Sequence, residues 1–355
     1  MRKKLLIILI IILSSSIFAA EEELIQNFLN DVIIYDIAAD ETGLWIATYG
    51  NGIFYKPFNK NEFKNFSSAT GDLREDLFYT IEANKDYVWA GSTDGLFIFD
   101  KKRERWTQRK FGKGGQFGNW IRALKFDPYL NALWIGRFKF LTKLDIEKRR
   151  FTDYDLTVNK NLKTNTIQTI ELDGDSLVWI GTEAGLHKYD KSFEMDSSAS
   201  LTYFDNKLNY FGGEGESVSV SDVLIYKKNV WIGLDEFKTK ERPEYNVGGL
   251  YRFNRKNEWF RFDKSSGFAG NGIYSIERTG NYLWVGLYDF NEKTKQKYGR
   301  GIALVDLAGM QAAMIKDKLI PNSVYSILFD GENLWIGSEK GLLRINLVNR
   351  LAKWD

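Results

Sequence analysis

Val178-Trp179-Ile180-Gly181-Thr182-Glu183-Ala184-Gly185-Leu186-His187-Lys188-Tyr189-Asp190 is two apolar runs joined by a short polar turn, and versions of its opening recur along the whole chain. They stand at Leu44-Trp45-Ile46-Ala47, Val88-Trp89-Ala90-Gly91, Leu133-Trp134-Ile135-Gly136, Val230-Trp231-Ile232-Gly233, Leu283-Trp284-Val285-Gly286 and Leu334-Trp335-Ile336-Gly337. Successive tryptophans lie 44 to 53 residues apart. A period of this length marks one supersecondary unit that buries its apolar face only against its neighbours.

Each unit reads as four short strands. In the last, residues 324–329, 334–338, 341–346 and 351–355 are the strands, with Asp330-Gly331 as a hairpin turn. Asp-Gly suits such turns because both central residues need positive φ. The motif strand is apolar almost throughout, as expected when both sheet faces are covered. The glycine after Trp-Ile lets neighbouring sheets approach closely. These features specify an all-β chain: a seven-bladed β-propeller with four antiparallel strands per blade.

The organisation follows from the same pattern. Residues 1–20 read as a signal peptide, with a basic start, a short apolar core and a small-residue end. The unbroken apolar run is well short of the ~20 residues that span a membrane. Residues 21–30 are a leader or an extra outer strand, and 31–355 the propeller. Blades start near Asp31, Asp76, Asn119, Asn165, Val218, Asn271 and Asn322. The fourth strand of blade six, around residues 308–315, has no clear strand pattern.

The pattern Leu/Val-Trp-Ile-Gly-Thr-x-x-Gly-Leu-x-x-Tyr-Asp, carried at 88–100, 178–190 and 334–346 with Asn165-Thr166-Ile167-Gln168-Thr169-Ile170 before one copy, resembles the two-component regulator propeller repeat. The resemblance covers essentially residues 31–355. It implies the extracytoplasmic sensing part of a membrane histidine kinase, here expected as a stand-alone secreted or periplasmic propeller without the kinase part.

Composition excludes several function classes. The chain has no cysteine and one histidine, so disulfides, thiol catalysis and multi-histidine metal sites are not expected. Losing the signal removes three basic and no acidic residues, which takes the formal charge from +2 to −1. A near-neutral surface gives no electrostatic case for nucleic-acid or membrane binding. His187 falls on a third strand where other blades carry Phe97 or Leu343, so it reads as structural, which disfavours an antibiotic-lyase type of chemistry. The asparagines at the blade starts read as turn caps. Gly112 to Gly118 lacks phosphate-loop spacing. No cofactor or metal is expected, and no catalytic residue is assigned.

Two insertions stand apart. Blade five carries Asp235, Glu236, Phe237, Arg242 and Tyr245 between its second and third strands, and blade six carries Tyr288, Asp289, Phe290, Lys297, Tyr298 and Arg300 at the same place. Adjacent blades should set these loops side by side. Aromatics with carboxylates and basic residues suit a carbohydrate, a peptide or an envelope protein partner, with a separate membrane sensor as a further candidate partner. The alternatives are loops that merely pack on each other, a carboxylate-based polysaccharide-active enzyme, and a non-catalytic envelope scaffold.

Overall fold

Seven four-stranded antiparallel sheets, arranged as the blades of a propeller, make up the computed structural model, which describes residues 25–347. The innermost strands are Ile34–Ala39, Thr80–Ala83, Ile121–Asp127, Ile167–Asp173, Val220–Tyr226, Gly272–Thr279 and Val324–Phe329. Each begins within a few residues of an expected blade start.

Burial explains the repeat. The buried side chains form seven apolar clusters, one between each pair of neighbouring blades, and each holds one motif tryptophan. Trp134 of blade three, for example, packs with Ile167, Ile170 and Val178 of blade four. The last cluster joins Trp335 of blade seven to Ile34, Ile37 and Ile46 of blade one, which closes the ring. In six blades the glycine two residues after the tryptophan faces the next blade, and Ala47 takes its place in blade one. A Cβ on Gly136 would stand 2.6 Å from Ile167, and one on Gly337 2.7 Å from Ile34.

The ring is sealed by strand exchange. Ile25–Phe28 pairs antiparallel with Gly341–Asn346 and serves as the outer strand of blade seven. Ile25–Phe28, within the expected leader, thus forms an outer strand, whereas the expected fourth strand at 351–355, like the signal peptide, lies outside the described residues. Phe28 also stacks near Trp335, at 6.0 Å between ring centroids. Blade six does possess a fourth strand, Gln311–Met314, held by backbone pairing to Ala303–Asp306 with little apolar burial.

Candidate functional site

The inner strands of six blades share a register irregularity. One residue drops out of the ladder between Ile34 and Asp36, Ile121 and Ala123, Ile167 and Thr169, Val220 and Asp222, Ile273 and Ser275, and Val324 and Ser326. A bulge turns its extra side chain away from the normal alternation. The residues skipped are Tyr35, Arg122, Gln168, Ser221, Tyr274 and Tyr325; Tyr79 holds the corresponding place in blade two, donating its N–H to the Gly91 carbonyl. They collect at one end of the central channel, a cavity of about 540 Å³.

Four of these seven are tyrosines on consecutive blades, six, seven, one and two. Tyr274 meets Tyr325 at 5.2 Å, Tyr325 meets Tyr35 at 5.2 Å, and Tyr35 stacks on Tyr79 at 5.7 Å. Trp120 continues the arc at 5.7 Å from Tyr79 and itself stacks on Phe138. Burial and the neighbouring tyrosines push Tyr35 up to about 12, so its hydroxyl stays protonated as a donor.

The opposite half of the mouth is polar and continuous. Glu183 accepts from Arg122, whose other amino group donates to Gln168 Oε1. Gln168 then donates to Ser219, and Ser219 donates to Asp235. Asp235 also accepts from the Tyr288 hydroxyl at 2.6 Å and from Lys297 at 2.8 Å. Burial alone would raise the Asp235 carboxyl, but Lys297, Tyr288 and Ser219 together hold it down at about 2. Lys297 lies over the Tyr288 and Tyr274 rings, so the polar chain joins the aromatic arc.

The two insertions are therefore one unit with the channel mouth. They are long hairpins, Asn229–Phe237 with Asn246–Phe253 and Tyr282–Asn291 with Gln296–Asp306, standing side by side as expected. Much of their chemistry is spent on each other. The Phe290 N–H donates to the buried Glu236 carboxylate, and the Glu236 N–H donates to Tyr288. Phe237 packs on Phe290 at 4.7 Å and faces Tyr245 at 6.0 Å. Tyr288 is fully buried, seated on Gly272, where a Cβ would stand 2.2 Å from its ring. Asp289 binds Lys264 and Arg300, and Arg242 binds Glu216 and covers Tyr245.

Of the residues singled out in the loops, Glu236, Tyr288 and Phe290 thus act as internal packing. Asp235 and Lys297 reach the mouth. Phe237, Arg242, Tyr245, Tyr298 and Arg300 remain on the outer part of the hairpins, with Phe237 and Tyr298 among the exposed aromatics. The four channel tyrosines, Arg122 and Gln168 escape a reading based on loop length. Lining up the seven blade entries would have found them, since each directly follows a buried apolar residue at or just before the start of its inner strand.

Other sequence features take structural roles. His187 is buried, with Nε2 3.0 Å from the Thr164 carbonyl, and burial lowers it to about 4. Asn119, Asn165 and Asn271 accept from the N–H of Phe111, Leu156 and Lys264, capping the loop that enters each blade. The Gly112 to Gly118 loop wraps Arg137, which donates to the Lys113 and Gly118 carbonyls.

Deeper in the channel, Glu82, Lys125, Glu171 and Glu277 line the wall, with Lys125 and Glu171 paired at 2.6 Å. Asp36 and Asp222 stitch blades together by accepting from Ile81 and Ile276 of the next blade.

A family model described as two component regulator propeller matches residues 318–340, which include the inner strand and Trp335 motif of blade seven, so the chain carries that repeat. The extracellular domain of a putative hybrid two component system from B. thetaiotaomicron is similar in fold, with a TM-score of 0.67 and 18% identity over 91% of this chain. The chain spans 39% of that structure's length. A virginiamycin B lyase from Staphylococcus aureus is also similar, with a TM-score of 0.64 and 14% identity, covering 91% of this chain and 98% of the lyase. So is YCF48 bound to D1 peptide, with a TM-score of 0.63 and 12% identity over 91% and 96% of the two chains. No curated protein matches the chain in sequence.

Proposed function

We propose that this protein is an extracytoplasmic sensing propeller that binds its ligand at the channel mouth. The observation that carries the reading is the division of that mouth into an aromatic arc, from Tyr274 through Tyr79 to Trp120, and a polar chain from Glu183 to Lys297. A ligand with one apolar face and several hydrogen-bonding groups satisfies both halves, which describes a carbohydrate fragment or a short peptide. The likeness to an extracellular domain of a two component system supports sensing outside the cytoplasm.

Binding without turnover is the better reading of the carboxylates. Asp235 is held ionised by Lys297, Tyr288 and Ser219, so it has no proton to give a leaving group. Glu236 is buried and tied to the neighbouring hairpin. The single histidine, His187, is buried and packs against Tyr203, which favours a structural role for it over acid or base work. Thermal unfolding against a panel of glycans, peptides and envelope extracts tests the reading. A ligand at about 100 times its Kd adds ~2.7 kcal/mol, a clear rise in melting temperature. No rise with any sample would count against it.

A further inference from the structure

The end of each inner strand shows a second pattern, on the face opposite the channel mouth. In blades one, three and four an aspartate there accepts from its own blade's tryptophan and from a cation of the next blade. Asp40 takes Trp45 and Lys101, Asp127 takes Trp134 and Lys191, and Asp173 takes Trp179 and Arg255. This clamp draws the outer parts of adjacent blades together.

Between blades two and three both halves of the clamp are replaced. Asn84 stands for the aspartate and Ile146 for the cation. Asn84 Oδ1 is occupied by the N–H groups of Asp86 and Tyr87, and its other polar atom is an amide nitrogen, which accepts nothing. Trp89 is buried, 1% exposed, and has no hydrogen bond to Asn84 corresponding to the tryptophan–aspartate contact of the clamped blades. The interface opens there into a groove of about 290 Å³, with Trp89, Ile98, Ile146 and Phe151 on its walls. Blades five and six, where Tyr226 and Leu307 replace the clamp, also part, and the buried Trp231 indole nitrogen there is unpartnered.

The groove between blades two and three is edged by cations. Arg103, Arg105 and Arg149 line it against a single acidic residue, Asp100, which pairs with Arg103. Arg105 and Arg149 have no carboxylate partner among the described residues.

We propose that this groove is a docking site for an acidic, aliphatic peptide segment of a partner protein. The peptide supplies in trans the carboxylate that Asn84 lacks. One acidic side chain pairs with Arg105 and Arg149 and accepts from Trp89, while a flanking aliphatic side chain covers Ile98, Ile146 and Phe151. Guanidinium forks suit bidentate carboxylate binding, and the apolar walls reward the neighbouring residue. The site is separate from the channel mouth and independent of the function proposed above.

The test uses a fluorescent Gly-Leu-Asp-Leu-Asp-Leu-Gly peptide and its Asn-for-Asp counterpart, titrated with the protein at low salt. The acidic peptide should bind and move one indole N–H resonance, and the amide version should bind at least about tenfold more weakly. Arg149→Glu should weaken binding similarly. The pair Asn84→Asp with Ile146→Lys, which rebuilds the clamp, should abolish it without lowering the melting temperature. Tyr325→Ala, at the other face, should leave it unchanged. Equal binding of the two peptides, unchanged affinity in Arg149→Glu, no binding at millimolar protein, or displacement by equimolar succinate would overturn the proposal.

Discussion

Asp36, Glu82 and Asp222 share a chemistry set by where they stand. Each faces the channel, is half-buried, and burial pushes its carboxyl up, to about 6 for Asp36 and about 7 for Glu82 and Asp222. A carboxyl whose folded pKa is raised binds protons more tightly in the folded state, so its contribution to stability is full below about pH 4 and is lost as pH rises through 6 to 7. Asp235, held at about 2, acts in the opposite sense, contributing above about pH 4 and losing that contribution as pH falls toward 2. Urea unfolding should therefore show stability declining from pH 4.5 to pH 7.5. Asp222→Asn costs one hydrogen bond to Val223 or Ile276 at every pH but should flatten that decline. An unaltered slope in the variant would show that Asp222 titrates normally. None of this was legible in the sequence, because an isolated Asp or Glu reads the same on a channel wall as on the surface.

Among the elements, the motif strands were the most legible and the outer strands the least. Residues 44–48 and their six counterparts announce themselves because tertiary burial repeats one composition in every blade. Ile25–Phe28 and Gln311–Met314 do not, since an outer strand is held largely by backbone bonds that any side chain permits. Ile25 is buried in the cluster that joins blades six and seven. Ile25→Ala should therefore cost about 2 kcal/mol, measured by the denaturation midpoint. A stability equal to that of the parent would deny the N-terminal strand its closing role. The adjacency of the hairpins was readable from loop length and their packing on each other stood among the alternatives, but the contacts that dock them were not readable, since they depend on Tyr288 reaching across to Asp235. Cutting both hairpins back to the length of Ser92 to Gly95 should leave the far-ultraviolet spectrum intact, because the seven apolar clusters lie below them. Collapse of the fold would show instead that the hairpins hold blades five and six in place.

Across the whole molecule, a closed ring of near-equivalent blades provides rigidity, and departures from equivalence provide specificity. The position that opens each inner strand, a bulge in six of the seven blades, is common to the ring, whereas its side chain differs by blade: tyrosine in blades six, seven, one and two, arginine in three, glutamine in four and serine in five. The same logic applies on the opposite face, where three clamped interfaces contrast with the open groove beside Trp89. Fold was legible from the repeated positions, and the site was not, because a site is carried by the positions at which the repeats disagree. The measurement that bears most directly on the central claim is the ligand-induced rise in melting temperature, compared between the parent protein and the double variant Tyr325→Ala with Arg122→Ala. These substitutions remove one member of the aromatic arc and one of the polar chain while leaving the apolar clusters untouched. The account predicts a rise of several degrees for the parent with its ligand and none for the variant at the same concentration. An equal rise in both proteins would place the ligand elsewhere and contradict the assignment of the channel mouth.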